Sequence, residues 1–384
     1  MSGWLWSAEE TPTTFPKTPA TRIGDPVSEQ ISLSPSRPVS ELGLACPHDA
    51  LKWQLEYPAQ STEAFTFYFS LDSGVYVLAQ LVYSTLGLGP SVQMVLRIYN
   101  PDKSKFSRTL SPAVASFVLS DDNRSVVCEE FSFISDNNGG FKINIDIGSE
   151  AALDLVFEPL AGSAFKVNDG KVLFNETEDQ GFVEAQFIPK AKVHGNITFD
   201  GKKSDVQGSG MFLHAIQCCP QYVSRWNFVN FQNANDSIFL YEFDMPKESE
   251  YAVKSASTGA IVRNGKRIAV TTANRTVHVQ TELDESFSGY EVPTQLFIVW
   301  TGKTEETGED IRVEISLVQK NLLDRIDVLG ELPFLLKMLI QTFITAPFVY
   351  QWYEDVTAKV TIGSEKFELE GKAFIECVFL MTEY

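Results

Sequence analysis

The feature that most constrains this chain is an internal echo. Gly195 to His214 (GNITFDGKKSDVQGSGMFLH) aligns without a gap on Ala358 to Cys377 (AKVTIGSEKFELEGKAFIEC), an offset of 163 residues (195 to 358). Thr198 meets Thr361, Lys203 meets Lys366 and Gly208 meets Gly371, while Ile197, Phe199, Val206 and Phe212 meet Val360, Ile362, Leu369 and Ile375. Apolar side chains therefore recur at alternate positions, the period of a strand, on both sides of a turn. A strand-turn-strand that recurs once, at the end of each half, is not a solenoid, whose unit of ~20 to 50 residues repeats several times. The chain reads as two fused copies of one β domain.

Length and composition support that division. The 384 residues exceed what one core usually serves, since domains run to roughly 100 to 200 residues. Hydrophobic residues make up 44%, with 28 Phe, enough for two cores without a covalent staple. The five cysteines, Cys46, Cys128, Cys218, Cys219 and Cys377, are odd in number and contain no C-x-x-C pair. Neither a disulfide framework nor a zinc site is expected, and reduced thiols in the cytosol are the natural state.

The start, MSGWLWSAEETPTTFP, has an apolar patch only at Trp4, Leu5 and Trp6, with acid at Glu9 and Glu10, and is not read as a secretory signal. Without translocation, the sequons at Asn123, Asn175, Asn196, Asn235 and Asn274 are chance occurrences. A formal charge of -19, with no stripe concentrating the 31 Lys and Arg, argues against nucleic-acid binding.

Residues 1–45 hold six of the 18 prolines and twelve Ser or Thr, which predicts a disordered tail. From Leu51 the texture changes to short aromatic and β-branched runs separated by turn signals, predicting an N-terminal domain over 46–218 and a C-terminal domain over 219–384. Predicted strands of the first include Leu51 to Tyr57, Phe65 to Leu71, Val75 to Ser84, Val92 to Tyr99, Val126 to Ile134 and a bent Val183 to Phe199. In the second, Lys266 to Thr272 and Thr276 to Leu283 are read as separate strands, and Asn264-Gly265 as a type I′ hairpin turn, which needs φ > 0 at both residues. About eight strands per half suggests closed or nearly closed antiparallel barrels. One segment, Glu331 to Ile344, reads as a short helix with Pro333 in its first turn and Pro347 beyond its end. It is too short to span a bilayer and suits a side helix or plug on the second barrel, or a lid.

Signals for catalysis are sparse. The four histidines (His48, His194, His214, His278) form no H-x-x-x-H, and there is no G-x-S-x-G and no Gly-rich phosphate loop. The adjacent acid pairs would point to opposite faces of a strand. The specialised stretch is the junction Gly208 to Gln232, GSGMFLHAIQCCPQYVSRWNFVNFQ, which sets His214, Gln217, Arg225, Trp226 and Asn227 among apolar residues such as Phe231. Polar groups in such a setting must bond one another or a ligand.

The runs GSGMFLHAIQ and SRWNFVNFQ resemble the signature of the fungal oxidative-stress survival-factor family. The resemblance covers about residues 45 to 384. It implies two tandem lipocalin-like (calycin) barrels with the short helix in the second, and a carrier of ceramide from endoplasmic reticulum to Golgi in cells surviving oxidative stress. It further implies a cytosolic protein peripheral to those membranes; a monomer, a nuclear pool and no cofactor or metal are also expected. By the same resemblance, His214, Gln217, Arg225, Trp226, Asn227 and Phe231 are the candidate ligand residues, framed by Gly208 and Gly210, with Gly371 as a further framework glycine from the internal echo. Family members typically begin with an amphipathic helix; here Pro12, Glu9 and Glu10 interrupt it, leaving Trp4, Leu5 and Trp6 as a weak, reversible membrane contact.

On this reading one or both barrels enclose the lipid, and polar groups fix its head. Two other classes fit an all-β pair of domains. An enzyme acting on an apolar substrate needs a buried carboxyl brought close to His214. An interaction scaffold needs only solid barrels.

Overall fold

Alternating apolar residues, broken by Gly, Asn and Asp at the turns, make the described residues predominantly antiparallel sheet. The computed structural model describes residues 51–86, 89–136, 138–160, 164–167, 170–246, 249–330 and 347–381. The 1–45 tail with Trp4, Leu5 and Trp6, and the Glu331 to Ile344 helix, lie outside the described residues.

The first sheet contains β1 (Ser61–Leu71), β2 (Tyr76–Ser84), β3 (Ser91–Tyr99), β4 (Lys105–Leu110), β5 (Val118–Leu119), β6 (Val126–Val127), β7 (Phe131–Ser135), β8 (Phe141–Asp146), β9 (Ala151–Pro159), β10 (Lys171–Leu173), β11 (Phe182–Phe199) and β12 (Lys202–Cys218). Their order is β4-β3-β2-β1-β12-β11-β9-β8-β7-β6-β5, with β10 added to β11, so the sheet curls without closing. The second contains β13 (Arg225–Gln232), β14 (Ser237–Asp244), β15 (Ser255–Arg263), β16 (Lys266–Leu283), β17 (Glu291–Thr304), β18 (Asp310–Val318), β19 (Leu322–Asp327), β20 (Phe348–Ile362) and β21 (Glu365–Phe379). There β18 pairs with β20 at Ile311–Ile362, which closes an eight-stranded barrel and leaves β19 outside it.

The echo in the sequence is an echo in space. β11–β12 and β20–β21 are both long hairpins, and Thr198 opposite Lys203 in the first matches Thr361 opposite Lys366 in the second. Asp200 (φ 50°) and Gly201 (φ 71°) turn the first hairpin, and Asn264 (φ 50°) and Gly265 (φ 76°) form the I′ turn expected between β15 and β16.

Three expectations are corrected. Leu51 to Tyr57 is not a strand: Leu55 has φ 61°, and the N–H groups of Gln54 and Leu55 are donated to the Glu63 carboxylate at 3.0 Å. Trp53 packs instead against Phe65, ring centroids 4.3 Å apart. Val126 to Ile134 divides into β6 and β7, because Cys128 N–H bonds Phe131 O at 2.8 Å and turns the chain. Lys266 to Thr272 and Thr276 to Leu283 form one strand, β16, bent by register shifts at Val270/Ala273 and His278/Gln280.

Apolar burial falls into three main bodies. The interior of the first sheet is crowded with phenylalanines; Phe212 lies 4.8 Å from Phe67, 5.2 Å from Phe65 and 5.3 Å from Phe141, all 0–1% exposed. The interior of the second holds Val229, Phe231, Trp300, Trp352 and Ile375. The third lies between the domains and joins Tyr68, Tyr76, Phe187 and Met211 to Trp226, Phe228, Tyr241 and Phe374. Outer faces that would be wet in a single barrel are dry here because the other domain covers them.

Candidate functional site

Strand alternation decides where the junction residues go. On β12, Phe212 and His214 face the interior of the first domain, while Met211, Leu213, Ala215 and Gln217 face the second domain. On β13, Asn227, Val229 and Phe231 face the interior of the second barrel, while Trp226 and Phe228 face the first domain. The six candidate ligand residues are therefore distributed over three places, because a period of two sends neighbours to opposite faces.

His214 is in the first interior, 1% exposed, with Nε2 2.7 Å from Oε1 of Glu63, which is 0% exposed. The Tyr57 hydroxyl also bonds that carboxylate. A carboxyl thus does come close to His214, but both are sealed beneath Trp53 and Phe65.

Asn227 belongs to a polar cluster inside the second barrel. Its Oδ1 lies 3.1 Å from His278 Nε2, its Nδ2 donates to Glu242 at 3.3 Å, and Cys377 Sγ is 3.8 Å from the same His278 nitrogen. Thr276 N–H and Arg275 complete the shell of Glu242 at 3.0 and 2.6 Å. Burial pushes Glu242 up to about 7 against the pull of Arg275, and burial, aided by Arg225 and Arg275, holds His278 well below the ordinary imidazole range. Arg225 sits at the rim, paired with Asp244, which Arg275 also reaches at 2.8 Å. Phe231, 0% exposed, lies over Gly371: a Cβ there would be 2.6 Å from the ring. Gly208 and Gly210 are equally tight, with a Cβ meeting Ser70 O at 2.3 Å and Val193 at 2.7 Å.

Gln217 faces open space, and Trp226 frames the same interface. A cavity of about 330 Å³ lies between the domains, walled on one side by the outer faces of β1, β2, β3 and β12 (Ala64, Gln80, Gln93, Gln217) and on the other by Val328, Leu329, Pro347 and Leu380. Its described lining carries no charged side chain: the polar groups are the amides of Gln80, Gln93, Gln217 and Gln221 and the hydroxyls of Thr62, Ser84 and Ser91. Gln217 Oε1 accepts from Thr62 at 3.5 Å. Among the described residues, buried Gln221 Oε1 and Ser91 Oγ have no hydrogen-bond partner. Beyond Tyr241 a second hollow, about 490 Å³, runs between β11 and β15 and includes Lys171. Among the described residues no His, Cys, Asp and Glu group is arranged to hold a metal ion.

The family model described as the Svf1 family matches residues 6–381. The chain belongs to the Svf1 family. It is 28% identical over 366 residues to the ceramide-binding protein svf1 of Emericella nidulans, covering 92% of this chain and 93% of that one. It is 29% identical over 342 residues to the ceramide-binding protein svf1 of Schizosaccharomyces pombe, covering 86% and 88%. Among solved structures, CghA with Sch210972 superposes with a TM-score of 0.62 at 11% identity, over 89% of this chain and 99% of that one. Kievitone hydratase from Nectria haematococca superposes with a TM-score of 0.54 at 11% identity, over 91% and 97%. At that identity the likeness is one of fold, and it is the tandem lipocalin-like fold read from the sequence.

In this Svf1-family chain, the cavity residues that sequence reading missed are Thr62, Gln80, Gln93 and Gln221. Gln80 and Gln93 stand at alternate positions of apolar strands, the ordinary look of a solvent face. Nothing local marks that face as one the second domain will cover.

Proposed function

We propose that the cavity between the domains holds the amide-bearing part of a ceramide or related neutral sphingolipid, and that this chain is a binder and carrier of such a lipid rather than an enzyme. The observation that carries this reading is the uncharged, amide-rich lining. A ceramide has an amide and two hydroxyls but no charge, so it is matched by Gln and Thr side chains and gains nothing from a basic cluster. A cavity of about 330 Å³ is at the lower end of ligand sites and suits the polar neck of the lipid rather than all of it. The names of the relatives support the same cargo.

Transfer from endoplasmic reticulum to Golgi, a cytosolic monomer touching membranes through Trp4, Leu5 and Trp6, a nuclear pool and a role in surviving oxidative stress complete the proposal.

The test is extraction of ceramide from phosphatidylcholine vesicles by the purified chain and by Ala64→Phe, which fills the cavity from β1. The wild type takes up ceramide near one per chain, and the variant, with an unchanged unfolding transition, takes up at least about tenfold less. A wild type that stays empty, or a folded variant that loads equally, removes the site. Vesicle flotation of a Trp4→Ala, Leu5→Ala, Trp6→Ala triple variant, reduced without loss of extraction, checks the membrane contact.

A further inference from the structure

Inward of the glutamines, the facing strands of the two domains still carry partly exposed residues. On each wall, partial exposure continues inward from the rim and then stops. On β21 it runs from Leu380 through Val378 to Glu376 and ends at Phe374, which is 0% exposed. On β3 it runs from Ser91 through Gln93 to Val95 and ends at Arg97 and Tyr99, 4% and 3% exposed. The floor is a set of rings: Tyr76 stacks on Phe374 at 4.7 Å, and Tyr68 on Phe228 at 4.9 Å. Four residues of strand separate Leu380 from Glu376, so the carboxyl lies ~13 Å below the rim.

Glu376 is held there by a relay. Gln351 Nε2 donates to its Oε2 at 2.6 Å, the Tyr99 hydroxyl donates to Gln351 Oε1 at 2.9 Å, and Arg97 reaches Asp324 at 3.3 Å behind them. Among the described residues its Oε1 is left without a hydrogen bond, and the side chain keeps some open surface although four tyrosines, Tyr68, Tyr76, Tyr99 and Tyr241, lie near enough to feel its charge. Burial pushes this carboxyl up from its ordinary value, against the Gln351 bond and the Arg97 charge. A carboxylate with one oxygen unpartnered beside buried rings is a costly arrangement unless something donates to it.

We infer that Glu376 is the specificity residue of the groove: its free Oε1 accepts a hydrogen bond from a hydroxyl on the polar end of a neutral lipid whose amide lies higher, among the glutamines. Gln351 is a positioning residue that fixes the carboxylate plane. The arrangement rests on the reading that this groove holds a neutral sphingolipid, and it adds a sense of direction: the hydroxyl end enters first and the hydrocarbon points to the rim at Val328 and Pro347. It also excludes a lipid whose terminal group is a phosphate, because two anions would meet at the floor.

The experiment compares uptake of ceramide, 1-deoxyceramide (the same lipid without its terminal hydroxyl) and ceramide 1-phosphate from vesicles, using wild type and Glu376→Gln. In the variant the Gln351 amide takes the remaining carbonyl, so the group facing the groove becomes a donor. Wild type is expected to prefer ceramide over 1-deoxyceramide by about tenfold or more, the range for a hydrogen bond to a charged group, and Glu376→Gln to lose that preference while still loading 1-deoxyceramide. Entry of ceramide 1-phosphate into the variant but not the wild type supports the same role. A variant that loads ceramide with undiminished preference overturns the inference and leaves the binding reading intact. A wild type that loads none of the three overturns both. Gln351→Leu, which frees the carboxylate from its partner, gives a second folded background and is expected to weaken the preference without abolishing it.

Discussion

His214 and Cys377 occupy corresponding positions in the β11–β12 and β20–β21 hairpins, 163 residues apart (214 to 377), and each faces the interior of its own domain opposite the first strand, His214 across from Phe65 and Cys377 across from Asn227. Each interior has set a buried polar contact at this level: Glu63 on His214 at 2.7 Å in one, His278 on Cys377 at 3.8 Å in the other. The duplication has kept the position and changed its chemistry.

Removing the imidazole tests whether the contact is structural. His214→Ala leaves Glu63 buried with the N–H groups of Gln54 and Leu55 and the Tyr57 hydroxyl, so a loss of ~2–3 kcal/mol in urea unfolding is expected, with lipid uptake per folded molecule unchanged. Loss of uptake in a molecule that remains folded would move the site into the first barrel.

Close approach at the echo glycines predicts sharp intolerance of a single methyl. Gly371→Ala presses on Phe231 and Gln232 O (2.6 and 2.7 Å), and Gly208→Ala on Ser70 O (2.3 Å). Each is expected to lower stability by ~1–3 kcal/mol. Gly89→Ala, with nothing within 4 Å, is the control that should change little.

Lys190 is a buried latch between the domains. Its ammonium donates to Ser209 Oγ at 2.8 Å and Gln232 Oε1 at 3.0 Å, and Gln232 returns a bond to Pro189 O at 3.0 Å. Burial lowers it from 10.5 to about 8. The unfolded chain therefore holds this proton more tightly. Between pH 8 and 10.5 it binds more protons than the folded chain, so this group's contribution to stability rises with pH, by up to ~3 kcal/mol. Subtracting the stability of Lys190→Met from that of wild type across pH 7 to 10 isolates the term; a flat difference would refute it.

Trp226 packs at a tilt against Tyr241 and Phe243, both at 5.2 Å, in the seam. Trp226→Ala is expected to cost ~3–5 kcal/mol and to increase binding of a dye that reports exposed apolar surface, as the domains part before they unfold. A simple two-state loss with no such phase would argue that the seam and the barrels melt together.

The architecture was legible where the signal was local. The gap-free echo gave the register of the β11–β12 and β20–β21 hairpins, and Asn264-Gly265 gave the separate β15–β16 turn, because φ > 0 leaves few residue choices. The site was less so. Trp226 and Asn227 are neighbours in a motif that reads as one unit, yet the strand sends them to different compartments, and the sequence does not say which face is inside. Gln80, Tyr68 and Glu376 look like the wet side of their strands, since only the packing of the second domain makes that side interior. Leu51 to Tyr57 looks like a strand for the opposite reason: its apolar residues do serve a core, but as a plug in which the N–H groups of Gln54 and Leu55 go to a side chain, Glu63, rather than to a neighbouring strand.

The seam is held by side chains, together with a backbone bond from Val253 N–H to Phe174 O at 3.3 Å, whereas each domain is knit internally by its own ladder. A container bounded by two separate sheets can change its width by tilting one sheet on the other, with tyrosine and phenylalanine rings as the bearing surface and no strand unzipped. On the proposed reading, loading and release need only a change in the angle between the two sheets, and a pair of spin labels, one per domain, would read that angle as a distance.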